Sequence, residues 1–284
     1  MEKIVVTGGA GFIGSHLVEA LKASGYEVGV YDIALDQKLD VRDLASTREF
    51  LKGARYVFHL AAIPSVQYSL EHPEETNQTN LVGTLNVLIA AKEAGVKRVV
   101  FASSCAVYGD VEIFPTNETA PAQPKSPYAL EKFESEEYLK LFSRIHNLQT
   151  VSLRYFNVYG LNQKDTGTYA SVIAKFLKLK RGGQKLTITG DGKQTRDYIH
   201  VSDVVRANMK ALKSEKVGRG EVINIGFGQE ISVNTVAELI GGEMEYVPER
   251  LEPKRALADI SLAKKLLGWE PTVSFKEGIT KLLK

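Results

Sequence analysis

The string Thr7-Gly8-Gly9-Ala10-Gly11-Phe12-Ile13-Gly14 follows a strand-like apolar run at 3–7 and leads into a helix-like stretch near 12–24. Glycines 8, 11 and 14 permit a tight turn, close approach of the backbone to a pyrophosphate, and close packing of helix on strand. The first N–H groups of the helix, around Phe12 and Ile13, then face the phosphates. Ile13, Leu17 and Leu21 share one helical face, and Gly25 is a natural stop. Asp32 ends the next strand-like run, 27–31. A carboxylate there accepts hydrogen bonds from the adenosine ribose hydroxyls and repels a 2′-phosphate, which favours NAD over NADP.

Further strand-like runs at 56–61, 97–103 and 149–154 alternate with helix-like stretches near 43–52, 80–94 and 126–146. That alternation predicts an α/β fold: a doubly wound, Rossmann-like parallel sheet with ligands at the carboxyl ends of its strands. After about residue 158 the pattern changes. A polar loop (161–168), a helix near 169–181, a strand at 186–189 and the turn Gly190-Asp191-Gly192 follow. Strand 198–201, helix 202–213 and strand 221–225 resemble the first half again. Asp259 caps a short helix stopped at Gly268, and Ser274 with Glu277 forms a capping box for the last one. The expected division is an NAD-binding domain at 1–158, also including 198–226, and a smaller mixed α/β substrate domain at 159–284.

A formal net charge of +2 is too weak to make nucleic acid the main partner. Cys105 is the sole cysteine, so an intrachain disulfide is impossible, and the five histidines lack metal-ligand spacing. No metal is expected. The chain enters a strand pattern almost at once, and no apolar run approaches membrane-spanning length. The expectation is a cytoplasmic protein without a membrane partner.

Ser126-Pro127-Tyr128-Ala129-Leu130-Glu131-Lys132 opens a long helix, with Ser126 as N-cap and Pro127 in the first helical position. Tyr128 and Lys132 are four apart and share a face. Free tyrosine, with a pKa of about 10, is a poor base at neutral pH. A nearby ammonium and a cationic nicotinamide both favour the phenolate. Ser104, at the end of the 97–103 strand, can hydrogen-bond the same substrate hydroxyl. Ser104, Tyr128 and Lys132 are the candidate catalytic residues.

These residues carry a resemblance. GGAGFIG, then HLAA (59–62), Asn80 with Gly83-Thr84, SSCAVYG (103–109), YALEK (128–132), RYFNVYG (154–160), RDYIHVSD (196–203) and LADIS (257–261) run in one order along essentially the whole chain. The chain resembles the NAD-dependent epimerase/dehydratase family, and within it the UDP-glucose 4-epimerases. The resemblance implies bound NAD, a UDP-sugar substrate and interconversion at C4 of the sugar. It implies that Asp40 and Val41 flank the adenine, that Leu60, Ala61, Ala62, Asn80 and Ser103 line NAD, and that Tyr155 lies near the nicotinamide. Asn157, Val172, Thr187 and Thr189 would contact the substrate. Arg196 would meet its diphosphate, as a guanidinium suits phosphate oxygens, and Arg250 is the candidate for a second diphosphate contact. Thr189 stands where the family usually has an aromatic against uracil.

The residues after Ser104 also speak against a neighbouring chemistry. Dehydratases of this family carry acidic residues there, because loss of water needs an added acid and base. Cys105 and Ala106 supply neither, and related uronate decarboxylases usually have a glutamate. Cys105 reads as a small buried residue. The lysines of 175–185 read as a solvated face. Ala256, three residues before Asp259, falls where strict glucose/galactose enzymes carry a tyrosine. It leaves room for a C2 acetamido group. A homodimer is expected through helices 80–94 and 126–146, which carry apolar residues such as Leu81, Leu85, Leu88 and Ile89 beyond one stripe. Epimerisation or decarboxylation of a UDP-uronate, and a non-catalytic NAD-binding sensor, are the alternatives.

Overall fold

The computed structural model describes residues 1–163, 171–249 and 254–284. In its first half β1 (Lys3–Thr7), α1 (Phe12–Ala23), β2 (Glu27–Tyr31), α2 (Leu44–Leu51), β3 (Tyr56–His59), α3 (Val66–Glu71), α4 (Pro73–Asn77), α5 (Gly83–Glu93), β4 (Arg98–Ser104), α6 (Pro127–His146) and β5 (Gln149–Tyr155) alternate as the periodicity predicts. The remainder is β6 (Asn157–Tyr159), α7 (Val172–Arg181), β7 (Leu186–Thr189), β8 (Thr195–His200), α8 (Val201–Lys213), β9 (Arg219–Ile225), β10 (Glu230–Ser232), α9 (Val233–Ile240), β11 (Met244–Val247), α10 (Ser261–Leu267) and α11 (Phe275–Leu282).

Six parallel strands form the main sheet in the order β2-β1-β3-β4-β5-β9. Alternate residues of a strand face opposite sides, so Ile4 and Val6 pack under α1, α8 and α10 while Val5 packs under α2, α5 and α6. Both faces are covered at the strand centres, where Val5, Val57, Val99 and Val151 are buried. The chain steps from β1 to β2 on one side and then to β3 on the other. The carboxyl ends of β1 and β3 therefore bound the crevice where such sheets take their ligands. A second core gathers α7, α9 and α11 around β7 and β8, including Phe176, Ile188, Tyr198 and Phe275.

Several local expectations need correction. Helix 80–94 is the end of a longer helical run. It begins at Pro73 and passes through a π-helical turn, Gln78–Val82, before α5. The capping box at Ser274–Glu277 is present, whereas α10 takes Ile260 as its N-cap and Asp259 supplies an acceptor to the Ser261 N–H at 2.8 Å. Residues 169–170, the expected start of α7, lie outside the described residues.

Two aspartates of the 196–203 string act as staples. Asp203, fully buried, accepts from Thr272 N, Thr272 Oγ1, Val273 N and Arg206, while its carbonyl takes the Trp269 indole N–H at 3.0 Å. Asp197, also buried, accepts from the backbone N–H groups of Phe227, Gly228 and Ala258. Asp203→Ala leaves two part-buried N–H groups and the Arg206 guanidinium without their buried carboxylate, at a cost of about 3 kcal/mol. We expect thermal unfolding to show a Tm lower by roughly 6–12 °C for that loss. A Tm near wild type would mean that apolar packing of Trp269 alone holds the C-terminal segment.

Candidate active site

The glycine-rich turn meets the loop after β3 at van der Waals distance. Gly8 has φ +69°, and a Cβ there would lie 2.6 Å from Ala61 N and 2.8 Å from the Leu60 carbonyl carbon. A Cβ on Gly14 would lie 2.1 Å from Gly8 O. Only glycine fits either position. Gly11 is the N-cap of α1 and offers no side chain to the helix, so the N–H groups around Phe12 and Ile13 remain for an anion. Leu60 N and Ala61 N donate to Thr7 O and Thr7 Oγ1, which seats Leu60 and Ala61 against the turn, with Ala62 next in the chain. Asp32 accepts from Ala10 N at 2.9 Å and from Ala34 N at 2.8 Å, so it braces the turn as well as ending β2.

The other residues singled out for the dinucleotide are held by neighbouring groups. Asp40 chelates Arg42, and Val41 is buried with its carbonyl accepting from Asn86. Asn80 sits in the π turn and bonds Ile63 and Glu131. Ser103 donates to Glu136, and Tyr155 donates to Asn208 Oδ1 at 3.0 Å. These polar atoms hold the walls of the crevice. His59, missed in the sequence, does the same. Thr84 Oγ1 donates to Asn80 O, so it accepts from His59 Nε2, and Thr7 Oγ1 donates to His59 Nδ1. Burial, then the Lys132 charge, pushes His59 down to about 3, so the ring is neutral.

At the carboxyl end of β4, Ser104 pairs in register with Tyr155 of β5. The Ser126 hydroxyl caps α6 by accepting from Ala129 N at 3.2 Å, with Pro127 in the first turn, as predicted. This start turns Tyr128 toward Ser104, whose hydroxyl lies in hydrogen-bonding reach and favours the phenolate. Lys132 Nζ donates to Ala102 O at 2.8 Å and lies 5.8 Å from the Tyr128 ring centre.

The electrostatics depart from expectation. Burial pushes the Tyr128 phenol up to about 12, opposed by Ser104 and assisted by Cys105 and Glu131. Lys132 falls to about 8 through burial, with Glu131 and Glu136 pulling the other way. The chain's own residues therefore keep Tyr128 protonated at neutral pH. Cys105 packs beside Tyr108, Phe156 and Ala258, and burial followed by Asp197 lifts its thiol to about 12, consistent with an inert role.

Asn157, Val172, Thr187, Thr189 and Arg196 line one cleft of about 380 Å³. Lys175 joins them, so one lysine of the stretch read as a solvated face is turned to the cleft. Its spacing of three from Val172 is the signal that was available. Asn157 Nδ2 donates to Asp197 O at 3.1 Å, and Arg196 Nη1 donates to Thr195 O. A second cleft of about 480 Å³ shares Thr189 and Gln194 with the first and is lined by Lys193, Lys254 and Arg255 among others. Ala256 is half-buried and lines neither cleft, and Arg250 lies outside the described residues. Among the described residues no cluster of side chains could hold a metal ion, and no helix is long and apolar enough to cross a membrane.

Residues 4–226 match the model of the NAD dependent epimerase/dehydratase family. A putative UDP-glucose 4-epimerase of Methanocaldococcus jannaschii is 38% identical, over 99% of this chain and 97% of that protein. The solved structure of a UDP-glucose 4-epimerase from Thermotoga maritima, with UDP-glucose, superposes with a TM-score of 0.93 at 38% identity, covering 99% of this chain and 97% of that one. A UDP-N-acetyl-alpha-D-glucosaminuronate decarboxylase of Bacillus cytotoxicus is 35% identical over 99% of this chain and 97% of that protein. The family match and this end-to-end similarity establish that the chain belongs to the NAD dependent epimerase/dehydratase family, whose cofactor is NAD.

Proposed function

We propose that the chain is a 4-epimerase of UDP-hexoses, acting on UDP-glucose and UDP-galactose and also on their N-acetylated counterparts. The observation that carries the reading is Tyr128 beside Ser104, with Cys105 and Ala106 next in the chain. Tyr128 can take the proton of one hydroxyl, and the two positions after Ser104 carry no acid for eliminating water. The residues fit NAD, since a Cβ at Gly8 or Gly14 would fill the space against the turn. Gly8, Gly11, Gly14 and the start of α1 would hold its pyrophosphate, and Asp32 its adenosine ribose. When bound, NAD supplies a reversible hydride acceptor and a positive charge.

Tyr128 takes the proton of the sugar 4-hydroxyl as that carbon is oxidised and returns it when the carbon is reduced. Ser104 holds the same oxygen. Lys132 anchors beneath Tyr128 through the Ala102 carbonyl. Burial holds the phenol near 12, and the positive charge that NAD would supply when bound would favour its phenolate. Arg196 and Lys175 supply the cations for the diphosphate in the cleft with Asn157. The unit formed by 1–158 and 198–226 carries the dinucleotide, and the remainder of 159–284 carries the UDP-sugar.

A homodimer through the helical run ending in α5 and through α6 is part of the proposal. Leu81, Leu85 and Ile89 are half-buried within one chain, although Leu88 is fully buried and faces the sheet. Light scattering at micromolar concentration should give twice the chain mass, and a monomer would remove this element.

Tyr128→Phe should lower turnover by about 10²–10⁴-fold, as loss of a general base does, with UDP-sugar affinity near wild type. Turnover close to wild type would overturn the proton path. Anomeric-proton NMR across UDP-glucose, UDP-galactose and the N-acetylated pair tests the substrate. Both pairs should interconvert in wild type. Ala256 lines neither cleft among the described residues, so Ala256→Tyr tests its place at the sugar directly: selective loss of the acetylated pair would place it against the sugar, and an equal effect on both pairs would remove it from the pocket. Turnover of a UDP-uronate alone would replace this reading.

A further inference from the structure

Glu131 lies one position before Lys132, and the proposed chemistry gives it no task. It is 2% exposed. Its Oε1 accepts from Thr76 Oγ1 at 2.8 Å, and its Oε2 accepts from Asn80 Nδ2 at 2.7 Å. The Asn80 amide in turn grips the backbone of Ile63 from both sides. Oδ1 accepts from Ile63 N at 2.8 Å, and Nδ2 donates to Ile63 O at 3.2 Å.

A carboxylate can only accept, so Glu131 reinforces the facing of the Asn80 amide that Ile63 N and O require. With that orientation fixed, the amide oxygen meets the Ile63 N–H. Reversed, two donors would oppose each other. The backbone of Asn80 needs no such help, because its carbonyl already accepts from Thr84 and Ser135. Only the side-chain clamp depends on Glu131. Ile63 stands two positions beyond Ala61, where the loop touches the glycine turn, and Thr7 Oγ1 secures that end at 3.3 Å.

We propose that Glu131 is a positioning residue for the cofactor site. From the catalytic helix, and through Asn80, it fixes the loop 60–63 against the turn that takes the dinucleotide. One carboxylate then ties the placement of Tyr128 and Lys132 to the wall of the NAD crevice. The inference rests on the dinucleotide site and not on the identity of the sugar, so its failure and that of the epimerase reading are separable.

The test uses nucleotide-free full-length protein and two readouts, NAD affinity by calorimetry and hydrogen exchange of the 60–66 backbone. Glu131→Ala should weaken NAD by about tenfold, the scale of one buried bond to a charged group, and should speed exchange around Ile63. Glu131→Gln should keep both within roughly twofold, because its oxygen still accepts from Asn80 and its amide can donate to the Thr76 hydroxyl. The double variant Glu131→Ala/Asn80→Ala should bind no more weakly than Asn80→Ala, as expected of residues acting in series. Thr76→Val, nearly isosteric, removes the carboxylate's other donor and should leave NAD affinity unchanged. It keeps the test open should Glu131→Ala not fold. Additive losses, a glutamine variant as weak as alanine, wild-type affinity in Glu131→Ala, or a loss in Thr76→Val would each overturn the proposal.

Discussion

Much of this structure depends on the contact between the Gly8 turn and the backbone at Leu60–Ala61. It closes the crevice between β1 and β3 to the thickness of two peptide chains, and no side chain can be placed there. The parallel pairing of Thr7 with His59 brings the two loops together. The chain of Thr7, His59, Thr84 and Asn80 then secures β1, β3 and the helical run behind them. A phosphate presented to such a turn meets backbone N–H groups and the start of α1 without any charged side chain.

Around that contact the chain buries charge in pairs and triads. Glu136 is buried with Arg154 at 2.6 Å, and Ser103 adds a third bond. Glu131 is satisfied by Thr76 and Asn80, and Asp197 by three backbone N–H groups. Buried ions of this kind contribute little net stability, but removing one partner is costly. Their effect is to fix orientation. The same low-polarity surroundings hold Tyr128 as a phenol and lower Lys132 toward neutrality.

The sequence disclosed those parts of the molecule that depend on backbone constraint and periodicity. The glycine turn, the alternation of β1 through β5 with helices, the Ser126–Pro127 helix start and the capping box at Ser274 all carry local signals, and all are present. The convergence of Asn157, Val172, Thr187, Thr189 and Arg196 on one cleft came through family resemblance. What was hidden depends on tertiary placement. Glu131 and Glu136 carry no local signal of a role, because their burial beside Lys132 is set by how α6 seats on the sheet. The π turn has no residue signature, since its extra residue is accommodated by Asn80 turning inward to Ile63. The Tyr128 pKa could not be foreseen from the Tyr-to-Lys spacing alone, because Lys132 directs its ammonium to Ala102 O.

The central claim is that one carbon of the sugar is oxidised and reduced again within a single closed site built on Tyr128 and the NAD crevice. A UDP-hexose carrying deuterium at C4, incubated with the protein in ordinary water without added nucleotide, tests it most directly. The account predicts that the C4-inverted product retains the deuterium at C4, with no solvent hydrogen there. Product carrying solvent hydrogen at C4, or loss of water in place of inversion, would contradict it.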